Sequence, residues 1–161
     1  MASANPGSVD STANEPKLLL PFLAPLYALL VPLAWPIVRL GTGLIFAFHG
    51  WRKIVVGPGP FVDNFAKMGF ASPSFLFYFL IFVEFVGGLC VALGLFTRFF
   101  AAAATIELAY ITVFVYMPKA FAWNAPGGGY EYTLFWGLMF LAIWLRGGGP
   151  YSVDRLMKRQ L

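Results

Sequence analysis

Charge is scarce in this 161-residue chain: Asp, Glu, Lys and Arg make up 11% of it, against about 25% in ordinary soluble domains. So little charge cannot cover the surface of a water-soluble fold. Cysteine is nearly absent too. The single Cys90 excludes an intramolecular disulfide, a CxxC redox pair and a cysteine-based zinc cluster, so any redox chemistry needs a diffusible molecule or a partner subunit. Histidine is represented by His49 alone, which cannot build a multi-histidine metal or haem site within one chain. No phosphate-cradling glycine loop, HExxH helix or nucleophile elbow occurs, and neither a metal nor a covalently bound cofactor is expected.

Apolar sequence fills the space that these absences leave. Hydrophobic residues make up 60% of the chain, and the mean hydropathy is +0.76. Four windows approach the ~20 apolar residues that cross a bilayer. The fold class expected is therefore all-α: an integral membrane four-helix bundle with a proline-rich N-terminal lead-in. The net charge of +4 fits flanks that lie against anionic lipid, and no nucleic-acid partner is expected.

Taken in order, residues 1–17 are small and polar and read as a disordered tail. Residues 18–33 are apolar but interrupted by Pro21, Pro25 and Pro32, which suggests an interfacial or kinked lead-in. The membrane bundle then covers 34–147. Its spans are expected near Ala34–Ile54, Ser74–Phe96, Phe99–Met117 and Tyr130–Arg146. Ser72-Pro73 supplies a serine cap and an early proline to the second span. Between the first two, Phe61, Phe65, Met68 and Phe70 suggest a short amphipathic piece on the interface. Residues 148–161 form a basic C-terminal tail. Four spans put both termini on one side, with Lys17, Arg98, Arg146, Arg155, Lys158 and Arg159 beside them. Arg52, Lys53, Lys67 and Lys119 fall on the other side. Six cations against four point to cytoplasmic termini in a multi-pass protein of the bacterial inner membrane.

Within the spans stand groups that lipid does not tolerate. Arg39, His49 and Lys53 share one sector of the first span. Counting ~1.5 Å per residue puts His49 roughly 6 Å below the outer rim and Arg39 roughly 21 Å below it. Glu84 and Glu107 lie near the midplane, and Glu131 at the rim. An unpaired carboxylate at that depth costs at least a few kcal/mol, so these groups must be protonated, hydrogen-bonded or paired. One reading is a structural ionic lock of Arg39, Glu84 and Glu107. The other is an outer-half pocket in which His49, Glu84 and Glu131 do chemistry while Arg52, Lys53, Tyr110 and Tyr130 bind a small polar or redox-active molecule. His49 could relay a proton or bond a quinone carbonyl. Gly87, Gly88, Ala92 and Gly94 read as packing surfaces that let helices approach closely.

The ordered motifs resemble a known family. Arg39-x3-Gly43-x5-His49-Gly50-x2-Lys53 is similar to the opening motif of the DoxX family of small integral membrane proteins. Glu84-x2-Gly87-Gly88-x5-Gly94-x2-Thr97-Arg98 resembles its second motif. Tyr130-Glu131 and Gly149-Pro-Tyr151-Ser152-Val153-Asp154 resemble its third and fourth. The resemblance covers about Trp35–Asp154 and implies a four-helix membrane bundle. One branch of the family is similar to the small subunit of an archaeal thiosulfate:quinone oxidoreductase, while other members resemble partners of thiol-stress or quinone-detoxifying systems. Two functions follow as expectations. One is a quinone-linked oxidoreductase component that binds a small anionic or quinone-like molecule. The other is a non-catalytic partner or scaffold for a soluble redox enzyme. The partners expected are the bilayer and a soluble or membrane redox protein, with a homo-oligomer left open.

Overall fold

The structure, a computed structural model, describes residues 18–158. The expected disordered tail at 1–17, with Lys17, and the terminal Arg159 lie outside the described residues. Every regular element among the described residues is helical. Three helices are long and apolar enough to cross a membrane: Pro21–Val56, Pro73–Leu93 and Thr97–Tyr116.

A 3₁₀ turn at Pro21–Leu23 leads directly into α1, Ala24–Val56. Pro21 and Pro25 sit in the first turns of their helices, where a missing N–H is harmless; only Pro32 and Pro36 are interior. The prolines therefore interrupt less than their number suggests, and the helix begins ten residues before the expected start at Ala34. What begins near Ala34 is packing: Trp35 and Pro36 are half-buried and Arg39 is the first fully buried residue of α1. At 33 residues α1 is roughly 50 Å long, more than the ~30 Å of a hydrocarbon core requires. It stops at Gly57, whose φ of 85° breaks the helix just before Pro58.

The short α2, Gly59–Lys67, is the amphipathic piece expected between the spans and buries none of its residues. Helix α3, Pro73–Leu93, starts with Pro73 at its first position, but the expected cap does not form, since the Ser72 side chain makes no capping hydrogen bond. Its middle widens into a π-helical turn at Phe82–Gly87 that contains Glu84. Gly94 closes α3 in the left-handed region, with Leu95 N–H donating to Cys90 C=O and Gly94 N–H to Val91 C=O. Helix α4, Thr97–Tyr116, ends in a second π-helical stretch, Ile111–Tyr116. Helix α5, Glu131–Arg146, and a single turn, α6, Val153–Leu156, complete the order.

The main packing runs α1 along α3 and α4 along α5. Glycine sets the first contact. A Cβ on Gly43 would lie 2.5 Å from backbone atoms of Gly88 and Ala92, and one on Gly88 would meet the Ala47 backbone at 2.6 Å. The small residues read from the sequence as packing surfaces thus serve as such. Phe46, Val83, Val91, Phe100, Ala101, Phe140 and Ile143 fill the centre. Outward, Phe48, Phe75, Phe114 and Leu145 stand exposed on all four long helices, an apolar surface suited to lipid rather than water.

Candidate functional site

Two polar clusters interrupt this apolar interior, one at each end of the bundle. The first surrounds Arg39, which is 3% exposed. Its Nε donates to Ala92 C=O at 3.3 Å, Nη2 to Tyr151 C=O at 3.0 Å, and Nη1 to Gly148 C=O. Asp154 completes this cluster. Its Oδ1 accepts from Phe96 N–H at 2.8 Å, and its Oδ2 accepts from Thr97 N–H at 3.0 Å and Thr97 Oγ1 at 2.6 Å. Asp154 N–H in turn donates to Gly94 C=O at 2.8 Å. Trp35 donates to Gly147 C=O at 3.0 Å and stacks under Arg146 at 4.4 Å.

In this geometry Arg39 does not reach Glu84 or Glu107, the partners expected of it in an ionic lock. Arg39 donates to carbonyls of the end of α3 and of the segment after α5 that converge on it. Neither membrane glutamate bonds it; Glu84 pairs with Lys53 instead. The reason is axial distance. Arg39 and Lys53 are fourteen residues apart on one helix, roughly 21 Å, so both cannot serve the same carboxylate. The segment set apart as a basic tail, 148–161, opens as a clasp against Arg39: Gly148, Ser152 and Asp154 are buried, as is Gly147 just before it.

The second cluster surrounds a cavity of about 230 Å³ toward the other end. Helix α1 contributes Phe46, His49 and Lys53 at helical spacing, α3 contributes Glu84, α4 Glu107 and α5 Tyr132, Trp136 and Phe140. Lys53 Nζ donates to Glu84 Oε1, and the two side chains are 17% and 5% exposed. His49 Nε2 lies 3.4 Å from Tyr132 Oη. Thr112 on α4 donates to Thr133 on α5 at 2.9 Å, fixing the two helices that form one wall. Both π-helical turns fall here, one carrying Glu84 and the other beginning at Ile111. Such turns recur at functional sites because the extra residue re-aims side chains.

What distinguishes this cavity is what its polar atoms lack. Among the described residues, Trp136 Nε1 is buried with no hydrogen-bond partner, and Glu84 Oε2 and the two oxygens of Glu107 have none beyond each other's carboxyl; all three residues line the cavity. Buried polar groups are almost always satisfied, and each exception costs about 1–3 kcal/mol or more.

Of the residues expected to form a site, His49, Glu84, Lys53 and Glu107 meet in this cavity. Arg52 does not: one residue from Lys53, it turns about 100° away and is exposed. Glu131 accepts from Trp123 N–H at 3.3 Å and ties down the preceding loop. Tyr130 packs on Phe121 at 5.2 Å between ring centres, while Tyr110 lines a neighbouring apolar cavity. Tyr132 and Trp136 also line the cavity, although the sequence alone suits Trp136 to an interfacial belt; the i, i+4, i+8 stripe Tyr132-x3-Trp136-x3-Phe140 is the pattern that points to them.

Apolar helices that enclose ionisable side chains define a polytopic membrane protein with a buried polar cavity. A family model described as DoxX matches residues 34–117. The chain belongs to the DoxX family. It is 30% identical over 127 residues to a protein of Escherichia coli (strain K12) named "Inner membrane protein YqjF", covering 77% of this chain and 92% of that one. It is also 30% identical over 107 residues to a protein of Bacillus subtilis (strain 168) named "Putative oxidoreductase CatD", covering 66% of this chain and 75% of the other. No solved structure matches it.

Proposed function

We propose that this membrane protein is a component of a quinone-linked oxidoreductase and that a quinone-like ring binds in the cavity between His49, Lys53, Glu84, Glu107, Tyr132 and Trp136. The observation that carries the reading is the set of buried, unsatisfied polar atoms on one wall-to-wall cavity. The two redox forms of one ring offer both kinds of partner: a quinone carbonyl can accept from Trp136 Nε1 or from a protonated Glu107, and a hydroquinone hydroxyl can donate to a carboxylate oxygen. An anion fits less well. Lys53, the cavity's one formal cation, is already neutralised by Glu84. Of the two ligand types expected, the neutral one is therefore favoured. The name of the Bacillus subtilis relative supports redox chemistry in general and says nothing of the ligand.

A bound quinone supplies a couple of two electrons and two protons. The chain's own residues orient and protonate. Glu107, buried beside the Glu84 carboxyl, holds or releases a proton, and His49 with Tyr132 can exchange one toward the rim. Lys53 keeps Glu84 in place. Electrons would come from a partner protein. On this reading α5 is the fourth crossing of a four-span bundle in the bacterial inner membrane, with both termini cytoplasmic. A scaffold role is the second reading, favoured by Phe121 and Trp123, which stand 56% and 65% exposed on the loop before α5. Extraction in mild detergent followed by assay of co-purified quinone separates the two. Quinone present in the wild-type protein and lost from Glu107→Gln supports the site. If no quinone is present and Trp123→Ala abolishes capture of a redox enzyme, the scaffold stands instead.

A further inference from the structure

A second cavity, of about 500 Å³, lies against the first, under α2 and between α3 and α4. Its character is opposite. Phe61, Phe65, Phe70, Leu80, Ile106 and Tyr110 are among the side chains that wall it. The two share Lys53, Glu107, Ile111 and Tyr116, so Glu107 stands where the polar compartment meets the apolar one. The apolar cavity also reaches the outer surface of the bundle. Phe79, Ile106 and Tyr110 line it and are 48%, 66% and 43% exposed, on the face that meets lipid. Its roof, α2, buries none of its own residues and is bounded by Gly57 and Gly69 at φ of 85° and 86°, with no atoms crowding either.

A polar compartment with unsatisfied groups that shares a wall with a larger apolar one matches the two parts of an amphiphile. The polar part alone, at about 230 Å³, is below the roughly 300–1,000 Å³ of sites for drug-sized ligands, which leaves room for a head of about one ring. We propose that the site takes a lipid-soluble ligand whose hydrocarbon chain lies in the apolar cavity under α2 and whose ring projects past Glu107, so that the ligand arrives sideways from the bilayer. This rests on the quinone reading above and narrows it to tailed ring compounds rather than water-soluble ones.

The test uses two probes with one head: a dimethoxy-methyl-benzoquinone without a chain, and the same ring bearing a decyl chain. Each is bound at equilibrium to the full protein in nanodiscs of fixed lipid content, as wild type and as Leu80→Trp, which fills the apolar cavity. Comparing variant with wild type for the same probe cancels its partitioning into lipid. The decyl probe should lose about tenfold or more in affinity in Leu80→Trp, while the chain-free probe stays within about twofold. Equal loss for both probes, or loss for neither, overturns the tail assignment while leaving the head site standing. If neither probe binds the wild type, the quinone reading itself fails, and this inference with it. Ile106→Trp, at a lipid-exposed position on the same cavity, gives the same comparison should Leu80→Trp fail to fold.

Discussion

The two ends of the bundle hold similar residues and use them differently. At one end Arg39 and Asp154 are buried and every donor and acceptor discussed above is taken, three carbonyls around the guanidinium and three donors around the carboxylate. At the other end Lys53 and Glu84 pair, yet Glu84 Oε2, the Glu107 oxygens and Trp136 Nε1 are left over. A satisfied buried network rigidifies a fold, whereas a partly satisfied one costs free energy and persists where something else supplies the missing bonds. The first end therefore reads as architecture and the second as a binding site. Both sit on one helix, divided between Arg39 and His49.

That contrast can be broken from either end. The largest effect should come from Asp154→Ala, which strands the N–H groups of Phe96 and Thr97. Loss of one partner from a buried charged network costs about 3–5 kcal/mol, read as a lower midpoint of thermal unfolding in detergent. Arg39→Leu should fall in the same range and leave little folded protein to assay. Next comes Gly43→Ala, whose methyl group meets backbone of α3 rather than a movable side chain. About 1–3 kcal/mol of destabilisation is expected in the same measurement, without a specific effect on ligand affinity. Trp136→Phe should change stability little, since its N–H bonds nothing in the protein, but should weaken quinone binding about tenfold, roughly 1.4 kcal/mol. Smallest is Arg52→Ala, exposed and outside the cavity, for which binding and stability should both stay within about 0.5 kcal/mol of wild type.

The sequence made the helical membrane class plain because it rests on totals: little charge, long apolar windows, and glycines where helices must touch. It also placed His49 and Lys53 on one face, since helical spacing along one element needs no knowledge of its neighbours. Pairing across helices was not legible. Arg39 offered the strongest charge for Glu84, and only the axial offset along α1 shows that Lys53 reaches it instead. Asp154 looked like part of a basic tail, because nothing local reveals that the chain folds back onto the turn at Gly94–Thr97. The π-helical turns were equally hidden. They rephase α3 and α4 by one residue, so a stripe counted at 3.6 residues per turn loses its register there. The proline count misled in the other direction, since two of the residues suspected of interrupting the lead-in occupy harmless first-turn positions.

On the proposed function, the unsatisfied polar atoms of the cavity are kept for a ligand and not for the fold. The unfolding midpoint of Glu107→Gln, measured without added ligand beside that of Asp154→Asn, decides between the two. Glu107→Gln should unfold close to the wild-type midpoint, because it exchanges a buried carboxyl whose one polar neighbour is Glu84 for a neutral amide of the same size that can still donate to Glu84, while Asp154→Asn should unfold well below it. If Glu107→Gln fell as far as Asp154→Asn, Glu107 would be holding the bundle together, and the division of α1 into architecture and site would be wrong.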